Sequence, residues 1–267
     1  MKTALTIAGS DSGGGAGIQA DLKTFSAHQV FGTSVITAVT AQNTQGVVDV
    51  QDISPDVIRK QVDAVFSDIP PDAVKIGMVS QIETIETIAD RLSVHKPKWV
   101  VLDPVMVSKS GYDLLNPKAK EVLTDYLLPL ATIVTPNLLE AETLTGMKID
   151  DVSGMEKAAK LIRKKGPRFV FVKGGHLSGT AIDVFFDGHD FLYLDAKRID
   201  TKNTHGTGCT LSSAIAANLA NGQDVNGSVR GAKLYITTAI ENSLDIGNGH
   251  GPTHHFYELY KKAGVKT

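Results

Sequence analysis

The sequence predicts an α/β protein whose central sheet is mostly parallel. Short apolar runs alternate along the chain with amphipathic segments of helical spacing, and several of those runs are apolar throughout. Strands that are buried on both faces of a parallel sheet have that continuous apolar character. Alternation with helices indicates crossover connections. The predicted strands are residues 4–8, 34–40, 73–76, 99–102, 132–134, 169–172, 181–186 and 191–194.

Four helices are predicted from apolar residues that recur every three or four positions. Each stripe predicts a helix that packs one face against the sheet. The four stripes are Ile18, Leu22 and Phe25; Ile58, Val62, Val65 and Phe66; Leu211, Ile215 and Leu219; and Val229, Ala232, Ile236 and Ile240.

The last three predicted strands follow one another too closely for helical crossovers. Residues 187–190, Asp-Gly-His-Asp, have the composition of a hairpin turn. The sheet is therefore expected to carry an antiparallel edge late in the chain. No linker rich in Pro, Gly or Ser divides the sequence, so we expect one domain over residues 1–267.

The composition excludes several classes of protein. Lys plus Arg number 27 and Asp plus Glu 29, a balance that gives no general attraction to nucleic acid or to an anionic membrane. The single cysteine, Cys209, excludes an internal disulfide framework and a multi-cysteine zinc site, and it fits a reducing compartment. No stretch approaches the roughly 20 apolar residues of a membrane span. We expect a cytoplasmic protein with no nucleic-acid or membrane partner.

The first candidate site is the glycine-rich loop at residues 9–17, directly after the first predicted strand. Five of its nine residues are glycine, so its backbone can approach a ligand closely. Open α/β sheets bind ligands at the carboxyl ends of their strands. The loop lacks the third glycine of the dinucleotide fingerprint, and the chain has no Walker-type phosphate loop. A ligand site and a tight strand-to-helix turn both account for the loop.

The second candidate site is the run at residues 204–211, just before a predicted helix. Gly206 and Gly208 would expose backbone N–H groups at the positive end of that helix, where they can hold the charge of a transferring phosphoryl group. Cys209 falls in the first turn, a position that lowers a thiol's pKa below about 8.5. Most lone cysteines are small buried hydrophobes, but the Gly-Thr-Gly-Cys context favours a functional thiol.

Three further polar groups follow predicted strands. Asp103 directly follows the strand at residues 99–102, where its carboxylate could reach a metal–nucleotide. Asn137 and Glu140 are three residues apart and share a helix face. They could orient water around Mg²⁺ or form a helix N-cap. Lys173 leaves a buried strand into a glycine turn and either neutralises phosphate charge or is simply solvated.

Together and in this order, the loops resemble those of the ribokinase-like superfamily of small-molecule kinases. Its Asn-x-x-Glu pair and its Gly-x-Gly-[Asp/Cys] anion hole correspond to residues 137–140 and 206–209. Within the superfamily, the chain is most similar to the hydroxymethylpyrimidine/phosphomethylpyrimidine kinase family of thiamine biosynthesis. The segments that carry this similarity are residues 4–11, 13–24, 40–44, 75–78, 103–106, 173–176 and 206–210.

The resemblance implies a three-layer ribokinase-like fold and a cytoplasmic homodimer. It implies transfer of phosphate from ATP, with Mg²⁺, to 4-amino-5-hydroxymethyl-2-methylpyrimidine and then to the resulting monophosphate. Cys209 takes the position where many sugar kinases of the superfamily carry an aspartate base. The implied site residues are Cys209, Gly206 and Gly208 for catalysis; Gly9, Asp21, Gln42, Met78 and Val105 for the pyrimidine; Lys173, Thr207 and Asp103 for ATP; and Asp103, Asn137 and Glu140 for the metal.

Other functions compete with this interpretation. Pyridoxal kinases share the superfamily, and a dual-specificity enzyme is an alternative; Gln42 favours the pyrimidine type. A non-catalytic nucleotide-binding module would need the glycine loops but not Asp103, Asn137, Glu140 and Cys209 together. A nicotinamide dehydrogenase is disfavoured by the incomplete fingerprint. The stretch at residues 108–113 is expected to close over the substrate. The histidines lack metal-ligand spacing, so structural or solvent roles are expected for them.

Overall fold

The computed structural model describes residues 1–106, 117–175 and 181–265. The stretch at residues 108–113, which was predicted to close over the substrate, and His176 lie outside the described residues. The strands are β1 (Lys2–Asp11), β2 (Val30–Asn43), β3 (Gly46–Asp52), β4 (Ala73–Ile76), β5 (Val100–Leu102), β6 (Ile133–Val134), β7 (Phe169–Val172), β8 (Ala181–Phe186) and β9 (Phe191–Ala196).

The described helices include the four that the apolar stripes predict, which are α1, α2, α7 and α8. A short π-helical turn and a 3₁₀ turn follow α4 over residues 123–130. The helices are α1 (Gly17–Ala27), α2 (Pro55–Asp68), α3 (Ile82–His95), α4 (Pro117–Val122), α5 (Leu138–Thr145), α6 (Val152–Arg163), α7 (Thr207–Ala220), α8 (Val225–Glu241) and α9 (Tyr257–Lys262).

The described strands form one sheet in the order β3-β2-β1-β4-β5-β6-β7-β8-β9. Strands β2, β1, β4, β5, β6 and β7 are parallel to their neighbours in that series. Strands β8 and β9 are antiparallel, which confirms the predicted late edge. Strand β3 adds a second antiparallel edge, beside β2, that the sequence reasoning missed. Most of its residues are exposed or half-buried, so it has no continuous apolar run.

Helices cover both faces of the sheet, as the three-layer prediction requires. On one face, Leu5 and Ile7 of β1 belong to the same buried cluster as Ile58 of α2 and Ile85 of α3. On the other face, Ala4 of β1 belongs to a cluster with side chains of α1, α7 and α8. Successive strand residues point to opposite faces, so the continuous apolar runs fill both cores.

The predicted hairpin between β8 and β9 is confirmed. Asp187 Oδ1 accepts hydrogen bonds from the backbone N–H groups of His189 and Asp190, each at 2.7 Å. Gly188 has a φ of +102°, which glycine adopts without steric cost. This hairpin brings β9 back beside β8 as the last strand of the sheet. Among the described residues, no helix has the length and apolar character that a membrane crossing requires.

Candidate active site

A cavity of about 860 Å³ opens at the carboxyl ends of the parallel strands. Twelve of the thirteen predicted site residues line it, although they come from loops spread over two hundred residues of sequence. The exception is Asp21. The twelve are Gly9, Gln42, Met78, Asp103, Val105, Asn137, Glu140, Lys173, Gly206, Thr207, Gly208 and Cys209.

The start of α7 forms one wall of this cavity. Gly206 precedes the helix with a φ of +79°, and a Cβ there would clash with the carbonyl oxygen of Gly15. The two glycine-rich loops therefore touch through their backbones, which explains why a side chain is excluded. Thr207 fixes the turn by donating its hydroxyl to the Thr204 carbonyl at 2.8 Å. The first N–H groups of a helix have no partner within it, so this wall favours an anion.

The thiol of Cys209 is less acidic than its position predicts. Burial raises its pKa to about 11, the ammonium of Lys75 lowers it in part, and the carboxylates of Asp21 and Asp103 raise it. The N–H of Gly17 hydrogen-bonds the sulfur and also lowers the pKa. The predicted lowering of this pKa is therefore wrong for this structure. Surrounding protein atoms disfavour the thiolate more than the helix and Lys75 favour it.

Opposite Cys209, Lys173 lies between two carboxylates. Its ammonium is 2.8 Å from Asp103 Oδ1 and 3.9 Å from Glu140 Oε2. Burial alone would lower the pKa of Lys173, but Asp103 and Glu140 raise it above its ordinary value. Burial also raises the pKa of Glu140 to about 7; Lys173 opposes this shift and Asp103 adds to it. The group therefore holds a fixed positive charge beside a carboxyl that titrates near neutral pH.

Asn137 and Glu140 form the helix cap that was one of the two interpretations of their spacing. Asn137 Oδ1 accepts the backbone N–H of Glu140 at 2.9 Å, and Glu140 Oε2 accepts the N–H of Asn137 at 2.7 Å. Capping thus accounts for the spacing of the pair, and the role of Asn137 in serving Mg²⁺ and its water stays a prediction. The capping box holds Glu140 at the cavity wall.

The carboxylates fit a magnesium ion that arrives with a nucleotide better than a resident one. In the described ranges, no group of three or more His, Cys, Asp or Glu side chains is arranged to hold a metal. Mg²⁺ commonly uses one or two carboxylates together with substrate phosphates and waters. Asp103 and Glu140 are two such carboxylates, and both line the cavity.

The other half of the cavity is shaped by Gly9, Gln42, Met78 and Val105. A Cβ on Gly9 would meet the end of the flexible Met78 side chain, so Met78 packs directly against the backbone of β1 here. Gln42 Oε1 accepts the hydroxyl of Thr40 at 3.1 Å, which orients its amide. An amide offers both a donor and an acceptor. This half of the cavity therefore has apolar walls and one side-chain amide that can both donate and accept a hydrogen bond.

Asp21 does not reach the cavity. Its side chain is fully buried and forms an ion pair with Lys75 at 2.8 Å. It also accepts hydrogen bonds from Thr6 at 2.6 Å and from Ser213 at 2.7 Å. The prediction that Asp21 contacts the pyrimidine directly is therefore corrected. A fully buried carboxylate has to be paired, and both oxygens of Asp21 accept hydrogen bonds from protein donors beneath α7.

Two polar pairs escaped the sequence reasoning. Lys75 interrupts an apolar run, Ala-Val-Lys-Ile, and a lysine inside a buried strand is a signal that could have found it. His205 was expected to have a structural or solvent role, yet it lines the cavity. Its Nε2 lies 2.8 Å from Asp11 Oδ2 and 3.4 Å from Gln42 Nε2. Hydrogen bonds from His205 and from the backbone of Ala16 and Gly13 outweigh burial and lower the pKa of Asp11.

With this geometry in place, residues 11–254 match the family model for phosphomethylpyrimidine kinase. The chain belongs to the phosphomethylpyrimidine kinase family. A hydroxymethylpyrimidine/phosphomethylpyrimidine kinase from Rhizobium meliloti strain 1021 is 56% identical over 97% of this chain and 98% of its own length. A thiamine biosynthesis bifunctional protein from Geobacter sulfurreducens is 51% identical, over 94% of this chain and 51% of its own length.

A solved structure gives the same fold. The ADP complex of Bacillus subtilis pyridoxal kinase superposes with a TM-score of 0.91 at 42% identity, covering 97% of this chain and 99% of that one. Kinases that act on two different ring systems therefore share this architecture. The fold is therefore common to both kinds of kinase, and the identity of the acceptor ring has to be inferred from the residues that line the cavity.

Proposed function

We propose that the chain is an ATP-dependent kinase that phosphorylates 4-amino-5-hydroxymethyl-2-methylpyrimidine and then its monophosphate, giving the diphosphate used in thiamine biosynthesis. The main evidence is that a single cavity is lined by the amide of Gln42, by Cys209 at the start of α7, and by Lys173 with its two carboxylate partners. In the first step the hydroxymethyl oxygen attacks the γ-phosphorus, the bond to the β-phosphate oxygen breaks, and ADP and a proton leave. The 56% identity with a kinase of that name supports the assignment.

The nucleotide half of the cavity lies toward Lys173 and Thr207. Lys173 would neutralise phosphate charge, and the N–H groups around Gly206 and Gly208 would hold the transferring phosphoryl. Mg²⁺, when bound with ATP near Asp103 and Glu140, supplies charge neutralisation of the phosphates. The ADP found in the B. subtilis relative supports nucleotide use.

The acceptor half would hold the aminopyrimidine between Gly9, Met78 and Val105. The ring presents a nitrogen acceptor beside an amino donor, and the Gln42 amide can serve both. A site of this kind rejects analogues that leave its polar group unpaired. Asp21 acts indirectly here, because its pair with Lys75 lies beneath the helix that carries Cys209.

Cys209 would face the hydroxymethyl group in the first step. Its thiolate, the minor form because burial raises the pKa of the thiol to about 11, would accept the hydroxyl proton while the α7 amides hold the phosphoryl charge. In the second step the acceptor is a phosphate oxygen that is already ionised at neutral pH, so a base is scarcely needed. The two steps therefore separate a base role for Cys209 from a role in the anion hole.

Product analysis tests the assignment. Purified protein with Mg-ATP is offered the pyrimidine alcohol, its monophosphate and pyridoxal in separate reactions, and ADP and phosphorylated products are measured. We expect turnover of both pyrimidines, with pyridoxal at most a side substrate. Preferential turnover of pyridoxal would instead show that the chain is a pyridoxal kinase. This alternative is tested because the chain shares its fold with the B. subtilis pyridoxal kinase. Nucleotide binding with no product would indicate a non-catalytic module.

We further propose that the chain is a single kinase domain that acts in the cytoplasm as a homodimer. The outer edge of β3 is a candidate for pairing with a second copy: Val48 on this strand is 82% exposed. Unpaired edge strands readily accept another strand. Light scattering after size-exclusion chromatography gives the mass in solution; a mass of one chain would refute the dimer.

A further inference from the structure

The cavity wall contains a second buried ion pair, between Asp183 on β8 and Lys233 on α8. Lys233 Nζ is 2.7 Å from Asp183 Oδ2, and the two side chains are 14% and 7% exposed. Both residues line the cavity on the side of Lys173. Neither residue has a role in the proposed chemistry. Charged side chains with so little exposure are concentrated at functional sites, so their place in the cavity wall indicates a function.

The second oxygen of Asp183 fixes the turn that follows β7. Oδ1 accepts the backbone N–H of Gly174 at 2.8 Å. The preceding N–H, that of Lys173, donates to the Pro136 carbonyl at 2.8 Å. A side chain on Gly174 would clash with the carbonyl oxygen of Ile182, so the turn packs directly on β8. The backbone on both sides of Lys173 is thereby held in place.

Lys233 extends this contact to the helix behind the nucleotide half. It lies on α8 at helical spacing from Ile236, Thr237 and Ile240, and all four residues line the cavity. Asp183 thus joins two walls of the cavity: the turn that carries Lys173 and the lining face of α8. Moving the turn would displace the Lys173 ammonium from its position 2.8 Å from Asp103.

We propose that Asp183 is a positioning residue for nucleotide binding. Asp183 holds Lys173 in place through its hydrogen bond with Gly174, and it holds the cavity-lining face of α8 in place through its ion pair with Lys233. This inference rests on the proposed function, because it takes Lys173 as a phosphate-binding residue. Asp183 itself would touch neither ATP nor the pyrimidine. Its loss should therefore weaken nucleotide binding while leaving the pyrimidine half of the cavity intact.

Asp183→Asn is the sharpest variant because it keeps the shape of the side chain. The two donors approach different oxygens of Asp183, and the amide replaces one of these oxygens with an NH₂ donor, so either Gly174 or Lys233 loses its acceptor. Hydrogen bonds to charged groups are strong enough that losing one should raise the KM for ATP about tenfold. Lys233→Met removes the other partner and should act in the same direction, whereas Lys233→Arg should restore most of the affinity.

Asp72→Asn is a matched control. Asp72 also accepts a lysine ammonium, that of Lys2 at 2.7 Å, and a backbone N–H, that of Thr3 at 2.9 Å. It lies beside the start of β1, at the amino ends of the parallel strands. Losing this pair should leave the KM values for both substrates unchanged, so any general effect of removing such a carboxylate is measured separately.

The experiment measures KM for ATP, KM for the pyrimidine alcohol, kcat, and ADP affinity by calorimetry. We expect Asp183→Asn and Lys233→Met to raise the KM for ATP and to weaken ADP binding, with the KM for the pyrimidine unchanged. Equal shifts in both KM values, or none, would refute the positioning role; if Asp183→Asn does not fold, the two Lys233 variants decide by the same criteria. A wild-type protein that binds no ADP would refute the proposed function itself, whereas ADP binding unaffected by the variants would refute only this inference.

Discussion

The rate at which Cys209 is alkylated measures whether burial or the helix start controls its acidity. Burial raises the pKa of the thiol to about 11. At about pH 7.5 such a thiol is ionised in roughly 0.03% of molecules, against roughly 10% for a free cysteine with a pKa of about 8.5. Because the thiolate is the reactive form, the folded protein should react about 300-fold more slowly than the unfolded chain.

The assay is labelling with iodoacetamide at a series of pH values, followed by intact-mass measurement. Cys209 is the only cysteine in the chain, so every adduct reports one sulfur. The same chain in urea is the control, since unfolding removes the burial. Lys75→Met adds a second perturbation: the Lys75 ammonium lowers the pKa of Cys209, so its loss should slow labelling further.

In the folded protein the rate should rise about tenfold per pH unit up to about pH 10 without levelling off. A plateau reached below about pH 8.5 would refute the reasoning. It would mean that the α7 start and Lys75 outweigh burial, as the sequence alone predicted. Labelling in the presence of the pyrimidine alcohol then tests access, because a ligand facing the sulfur should protect it.

Three further predictions concern catalysis and stability. Cys209→Ala should slow the first phosphorylation about 100-fold and the second by less than about tenfold, measured as initial rates on the alcohol and on its monophosphate; equal losses would assign Cys209 to the anion hole. The pKa of Glu140 is raised to about 7 when folded, so its stabilising contribution is present below about pH 4.5 and is lost as the pH rises toward 7. The Tm of Glu140→Gln relative to wild type should therefore increase over that range and then stay level; a constant difference would contradict the raised pKa. Gly206→Ala should cost more than about 3 kcal/mol in denaturant unfolding, since it adds a clash with Gly15 to the left-handed backbone, whereas Gly222→Ala, with a similar φ of +86° and open space around it, should cost about 1 kcal/mol.

The strands that the sequence predicted best are those whose two faces are both buried. The runs at residues 73–76, 169–172 and 181–186 coincide with β4, β7 and β8. Two long helices, α3 and α6, were missed although both carry apolar residues at helical spacing. Ile85, Ile88 and Leu92 are buried on α3, and Met155, Ala158 and Ile162 are buried on α6. Both sequences therefore contain the same kind of apolar stripe that predicts the other four helices.

The candidate site was predictable wherever the chemistry is local to a loop. The Gly-x-Gly-Cys run and the Asn-x-x-Glu pair carry their own spacing, and both line the cavity. The state of each group was not predictable, because it depends on distant partners. Asp21 is neutralised by Lys75, which is 54 positions away, and Asp183 holds a lysine 50 positions away. Long-range pairing of this kind leaves no trace in local spacing.

The two aspartates predicted for ligand contact show why pairing decides function. Asp21 and Asp103 each form an ion pair with a lysine at the same distance of 2.8 Å: Asp21 with the buried Lys75 and Asp103 with the half-buried Lys173. Both oxygens of Asp21 are engaged by Lys75, and each accepts a further hydroxyl, so the carboxylate is saturated. Asp103 engages Oδ1 with Lys173 and Thr135, while no donor among the described residues contacts Oδ2. An oxygen that none of the described residues contacts as a donor can still accept a metal or a water at the cavity wall, whereas a saturated one can only shape the field around Cys209.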